Sequence, residues 1–129
     1  MGLIIGSQLY GWGQVYGMRG QDIADHYDEV LGAIGAMGMD TAEAFIGAWD
    51  ENGVRNWASM LRAHGLRPAS MYAAGAVHSE DQAEETHATL LPLAPTLASE
   101  GFTVLSMNPV PIGREKTDAE LATQASALE

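Results

Sequence analysis

An α/β fold of parallel strands with outer helices, in a single unit spanning residues 1–129, follows from three observations. Gly38–Phe45, Gly65–Tyr72 and Gly101–Pro109 each open with a glycine that ends a helical pattern and pass into a short apolar run. A strand leaving a helix C-cap has this form. A fourth apolar run, Leu3–Tyr10, begins the chain. Polar side chains collect where the runs stop: Gln8 and Tyr10 after the first, Glu43 after the second, Tyr72 after the third and Asn108 after the fourth. Four strand-helix units with polar residues beyond the strands are the arrangement of half a (β/α)8 TIM barrel, whose ligand site lies at the carboxyl ends of the strands. The competing arrangement is a flavodoxin-like open sheet with helices on both faces.

Leu3–Tyr10 is apolar on both alternations, which predicts an interior strand buried on two faces. Gly11–Gly20 follows, with four glycines and the aromatic pair Trp12 and Tyr16, and predicts a mobile loop offering flat surfaces to a ring-shaped ligand or covering the strand ends. Its glycines lack the spacing of a dinucleotide fingerprint. A helix is expected from Asp22 to Met37, with Ile23, Tyr27, Val30, Leu31, Ile34 and Met37 on one stripe and Gly38 as its stop. Asp22 and His26, four apart, read as a surface pair rather than metal ligands.

Glu43 falls inside Ala42–Ile46, where a carboxylate among apolar neighbours needs a partner. It is expected to aim into a pocket at the strand's carboxyl end, the other reading being an edge side chain in water. Asp50-Glu51-Asn52 opens a second helix with Val54, Trp57, Ala58 and Leu61 as its stripe, ending at Gly65 with His64 at its C-terminus. Tyr72–Ser79 reads as a small-residue loop that leaves space above the sheet, with His78 as a ligand-facing or solvent-exposed histidine. Ser79-Glu80-Asp81-Gln82 resembles a capping box for a third helix through Leu91, interrupted at Pro92 and Pro95. Beyond the last strand, Asn108–Arg114 is a rigid proline-bearing loop, and Thr117-Asp118-Ala119-Glu120 is a second capping box with Leu121, Ala125 and Leu128 starting a stripe.

Composition narrows the function classes. The 129 residues are 47% hydrophobic, enough for a core in one domain. With no cysteine, disulfides and thiolate metal sites are excluded. Seventeen acidic against six basic residues give a formal charge of -11, which repels a nucleic-acid backbone. No apolar run reaches the roughly 20 residues of a membrane span, and no basic region precedes Leu3. A soluble, cytoplasmic protein with neither nucleic-acid nor membrane partners is expected.

Ile5-Gly6-Ser7-Gln8-Leu9-Tyr10-Gly11-Trp12, the acid in Thr41-Ala42-Glu43-Ala44-Phe45, and Asn108-Pro109-Val110-Pro111-Ile112-Gly113 with Lys116-Thr117-Asp118 resemble the xylose-isomerase-like family. That family includes sugar isomerases, sugar epimerases, inosose dehydratases and an endonuclease branch. The resemblance spans the whole chain but only the amino-terminal half of the family's barrel. It implies isomerase or epimerase chemistry on a hydroxy-ketone or aldose, assisted by a divalent metal such as Mn, Mg, Co or Zn. The family's metal ligands sit on later strands, so none is expected to be held by this segment, and the isolated chain is expected to be inactive. What the resemblance assigns here is a pocket wall for a sugar or polyol, made by Gln8, Tyr10, Trp12, Glu43, Tyr72 and Asn108, to which the loop reading adds His78 as a substrate-binding candidate. The endonuclease branch has metal-binding histidines after strands three and four, where this chain has Tyr72 and Asn108. Four strands also leave two bare edges. They predict a homo-oligomer, a second half-barrel as partner, or a longer polypeptide.

Overall fold

The computed structural model describes residues 2–43 and 50–129. Expectations for Ala44, Phe45 and Ile46 lie outside the described residues. The chain is α/β, with four short strands, β1 (Gly6–Gln8), β2 (Thr41–Glu43), β3 (Ser70–Gly75) and β4 (Val104–Pro109), separated by helices. β1 pairs with β2 and β3 with β4, both in parallel, as two two-stranded sheets. β2 lies alongside β3: Arg67 N donates to Asp40 O at 2.8 Å and Ser70 Oγ to Glu43 Oε2 at 2.9 Å. Both links join residues 27 apart in sequence, an unchanging offset that makes β2 and β3 run in the same direction.

Each helix-to-strand passage uses one device. Gly38, Gly65 and Gly101 have φ of 77°, 71° and 93°, and the following amides of Met39, Leu66 and Phe102 reach back to Ile34 O, Leu61 O and Leu97 O. This is a Schellman closure, with glycine in the left-handed conformation and an apolar residue next to it. The repeated glycine in the sequence is therefore a repeated helix stop.

α1 (Tyr10–Met18) corrects the expectation of a mobile loop over Gly11–Gly20. Leu9 and Tyr16 are buried and Trp12 is half-buried against the core. Their i, i+3, i+7 spacing is one helical face, and its burial outweighs a helix cost of about 1 kcal/mol per glycine. The first expected strand is also corrected: only Gly6–Gln8 is extended, and Leu3, Ile4 and Ile5 are exposed. β1 has a ladder partner on one side only among the described residues, which places it at an edge, and Leu3, Ile4 and Ile5 precede its first paired residue, Gly6.

A 3-10 turn, Ile23–His26, capped by Asp22, leads into α2 (Tyr27–Ala36), which buries Val30, Leu31 and Ile34 while Met37 stays exposed. His26 stacks on Tyr16 with centroids 4.5 Å apart. α3 (Glu51–Ala63) is capped by the Asp50 carboxylate on Gly53 N and buries Val54, Trp57, Ala58 and Leu61. α2 and α3 meet closely at Gly35, where a Cβ would lie 2.7 Å from the His64 carbonyl. His64 Nε2 is 2.9 Å from Asp28 Oδ1, linking the helices on the surface.

β3 starts later and runs further than expected, so Tyr72–Gly75 is strand instead of loop. α4 (Glu80–Leu90) begins at Ser79 without a side-chain cap, so the expected box there does not form. A 3-10 turn, Leu91–Leu93, and α5 (Ala94–Ser99) follow, each with proline in its first turn, where the missing amide donor costs little. α6 (Asp118–Ala127) has the complete capping box of Thr117 and Glu120, but none of its residues is buried, and Leu121 and Leu128 face water. α6 is held to α4 by His87 Nε2, 2.9 Å from the Ala127 carbonyl. No helix among the described residues is long and apolar enough to cross a membrane.

Candidate functional site

Alternation along the strands separates two faces. Ala42, Met71 and Ala73 are fully buried. The intervening positions, Thr41 and Glu43 on β2, Ser70 and Tyr72 on β3, and Val104 and Asn108 on β4, share the other face with Gly6 and Gln8. That face carries two cavities.

The first, of about 290 Å³, is lined by Gln8, Tyr10, Tyr72 and Asn108. Gln8 and Asn108 come from the carboxyl ends of β1 and β4, Tyr72 from the middle of β3, and Tyr10 from the first turn of α1. Two phenol groups and two carboxamides supply donors, acceptors and flat apolar surface without formal charge. The second, of about 360 Å³, lies toward the amino-terminal ends of the strands and includes Ser7, Gln8, Thr41, Glu43 and Ser70, with Ile4 and Val104 as apolar walls. Gln8 lines both, so the two cavities adjoin at its side chain.

Glu43 is half-buried and faces the second cavity. Its Oε2 accepts the Ser70 hydroxyl proton at 2.9 Å, the partner that a carboxylate in this strand requires. Among the residues lining the two cavities, Glu43 alone carries a formal charge. Thr41 is 5% exposed, lines the same cavity, and its hydroxyl oxygen is shielded from solvent without a hydrogen-bond partner.

Of the seven residues expected at the site, Gln8, Tyr10, Tyr72 and Asn108 meet in one cavity and Glu43 joins through Gln8 in the next. Trp12 is placed differently: its ring packs on the core and its Nε1 donates to Ser7 Oγ at 3.1 Å, so it positions a cavity-lining hydroxyl instead of presenting a stacking surface. His78 lines neither cavity, and its Nδ1 is buried without a hydrogen-bond partner. Sequence reasoning missed Ser70 and Thr41. Their signal was present as hydroxyl residues at inward positions of strands, but only the cross-strand register brings Ser70 to Glu43.

The divalent metal implied by the family resemblance does not fit the described residues, among which no three His, Asp or Glu side chains converge. Comparison with family models, with curated proteins and with solved structures returns no match for this chain.

Proposed function

We propose that this chain is the amino-terminal (β/α)4 half of a TIM barrel of the xylose-isomerase-like kind, and that it forms the substrate-facing wall of a sugar or sugar phosphate isomerase or epimerase. In this reading Gln8, Tyr10, Tyr72 and Asn108 hold the hydroxyl groups of a small polyol, hydroxy-ketone or aldose, and Glu43 accepts a further proton-bearing group. The metal ligands that assist proton transfer belong to strands outside this chain. The observation that carries the proposal is the convergence of four residues spread from position 8 to position 108, drawn from three parallel strands and the start of α1, on one cavity. Parallel strands with the offsets described above support the half-barrel order.

Exchange of the ketose C3 proton with deuterated water, followed by NMR with Mn, Mg, Co or Zn added, tests the division of labour. The isolated chain should show binding of the sugar without exchange. Failure of neutral sugars and cyclitols to perturb amide signals of β1, β3 and β4 would remove the reading.

A second reading, a non-catalytic half-barrel that self-assembles or binds a polyol, is favoured by the outer edges. Ile5 beside β1 and Val104 on β4 are each more than half exposed, which is unusual for apolar strand residues.

A further inference from the structure

The cavity around Glu43 has a charge requirement that the polyol reading does not itself specify. We infer that it takes a positively charged amino group, so that the ligand is an aminated polyol, an amino sugar being the simplest, in preference to a neutral or phosphorylated one. The inference deepens the polyol-binding reading above and rests on it, since it assigns the charge of the ligand at the same strand face.

Three observations lead there. The Glu43 carboxylate is half-buried, one of its oxygens is engaged by the neutral Ser70 hydroxyl, and no ion pair reaches it among the described residues. Arg55, Arg62, Arg67 and Arg114 are paired with other acids, Lys116 donates to Gln124, and no Lys or Arg lines the cavity. A neutral ligand seated here would bury an uncompensated negative charge, and a phosphate or carboxylate would add a second; an ammonium group compensates it.

The second observation is Thr41, which lines this cavity and whose solvent-shielded hydroxyl has no partner. Buried hydroxyls in folded proteins are nearly always hydrogen-bonded, so an unpartnered one in a cavity marks where a ligand's polar group sits. The free oxygen of Glu43 can accept from an ammonium, which carries three donors and no acceptor. The third is volume: about 360 Å³ falls at the lower end of the range of small-molecule sites, suited to a monosaccharide-sized group.

The test is isothermal titration of the whole chain with D-glucosamine, D-glucose and D-glucose 6-phosphate at about pH 6.5, where an amino group is protonated. Glucosamine should bind about tenfold more tightly than glucose, and glucose 6-phosphate more weakly than glucose. Glu43→Gln, nearly isosteric, should bring glucosamine down to the affinity of glucose, while Thr41→Val weakens glucosamine with the carboxylate left in place. Circular dichroism of both variants reports whether the fold persists, and amide shifts of β1 and β2 locate the ligand even if one variant is unstable. Equal affinity of the native chain for glucose and glucosamine overturns the inference and leaves the polyol reading standing. Absence of binding by all three sugars overturns both.

Discussion

The Ser70 hydroxyl donates to the Glu43 carboxylate at 2.9 Å across the line where β2 meets β3. This side-chain bond, with the Arg67 to Asp40 main-chain bond, ties the two parallel pairs into one surface. It also fixes which carboxylate oxygen remains available to the cavity. Ser70→Ala should therefore lower stability by about 1 kcal/mol, the usual net worth of a partly buried hydrogen bond. Urea denaturation monitored by the tryptophans would measure it. Ser70→Thr, which keeps the hydroxyl, should recover part of the loss; equal destabilisation by both variants would assign the effect to packing.

The acid sensitivity of α6 has a defined sign. Glu120 has its carboxyl pKa lowered from 4.5 to about 2, first by the hydrogen bond from Arg114 and then by the Thr117 amide in the capping box. The folded value lies below the unfolded one, so this contribution to stability is fully present above about pH 4.5 and is lost as pH falls toward about 2. The cap and the Arg114 contact should open over that window. Amide exchange of Glu120 and Leu121 would report it, and Glu120→Gln should flatten the pH dependence there without altering α3.

Glycines in this chain divide by what a side chain would meet. In α1, Gly11 and Gly17 have open space around a built Cβ, whereas in α2 a Cβ on Gly35 lies 2.7 Å from the backbone carbonyl of His64. Gly11→Ala and Gly17→Ala should each raise stability by about 0.5 kcal/mol through the helix propensity of alanine near a helix end. Gly35→Ala should lower it by about 1–3 kcal/mol, because a helix carbonyl cannot swing aside as a side chain can. Thermal unfolding of the three variants gives opposite signs on one assay.

These glycines also show what the sequence made legible. α3 could be read directly, since Asp50 caps it and Val54, Trp57, Ala58 and Leu61 all become core. α1 could not, because its glycines and aromatics suggested a loop while the decisive burial of Leu9 and Tyr16 depends on elements far along the chain. Ser79 and Thr117 present nearly the same capping pattern, yet only Thr117 closes it. At Thr117 the hydroxyl accepts from the Glu120 amide and the Glu120 carboxylate returns to the cap amide, while the Ser79 side chain makes no cap bond. At the site, Gln8, Tyr72 and Asn108 converged because they share one face of parallel strands, although Tyr72 lies inside β3 and not at its end. Ser70 and Thr41 were hidden because a hydroxyl inside a strand has meaning only once its cross-strand neighbour is known.

The outer edges of β1 and β4 lead to the last expectation. Leu3, Ile4 and Ile5 precede β1 with their side chains largely in water, and Val104 and Leu105 on β4 are also exposed. Neither β1 nor β4 has a second ladder partner among the described residues, so apolar side chains and unpaired backbone groups coincide on both. An exposed apolar edge is a template for pairing with another strand, and a lysine placed on it is the usual deterrent. The purified 129-residue chain, 13.7 kDa, should therefore sediment heavier than a monomer, with a concentration-dependent weight average. Ile5→Lys should shift it toward monomer without changing the circular dichroism spectrum, since the hydrogen bond that the Ile5 backbone N–H donates to Asp40 Oδ2 does not involve the Ile5 side chain. A compact monomer at every concentration for the native chain would show that these edges are protected in solution and would remove self-assembly as the second reading.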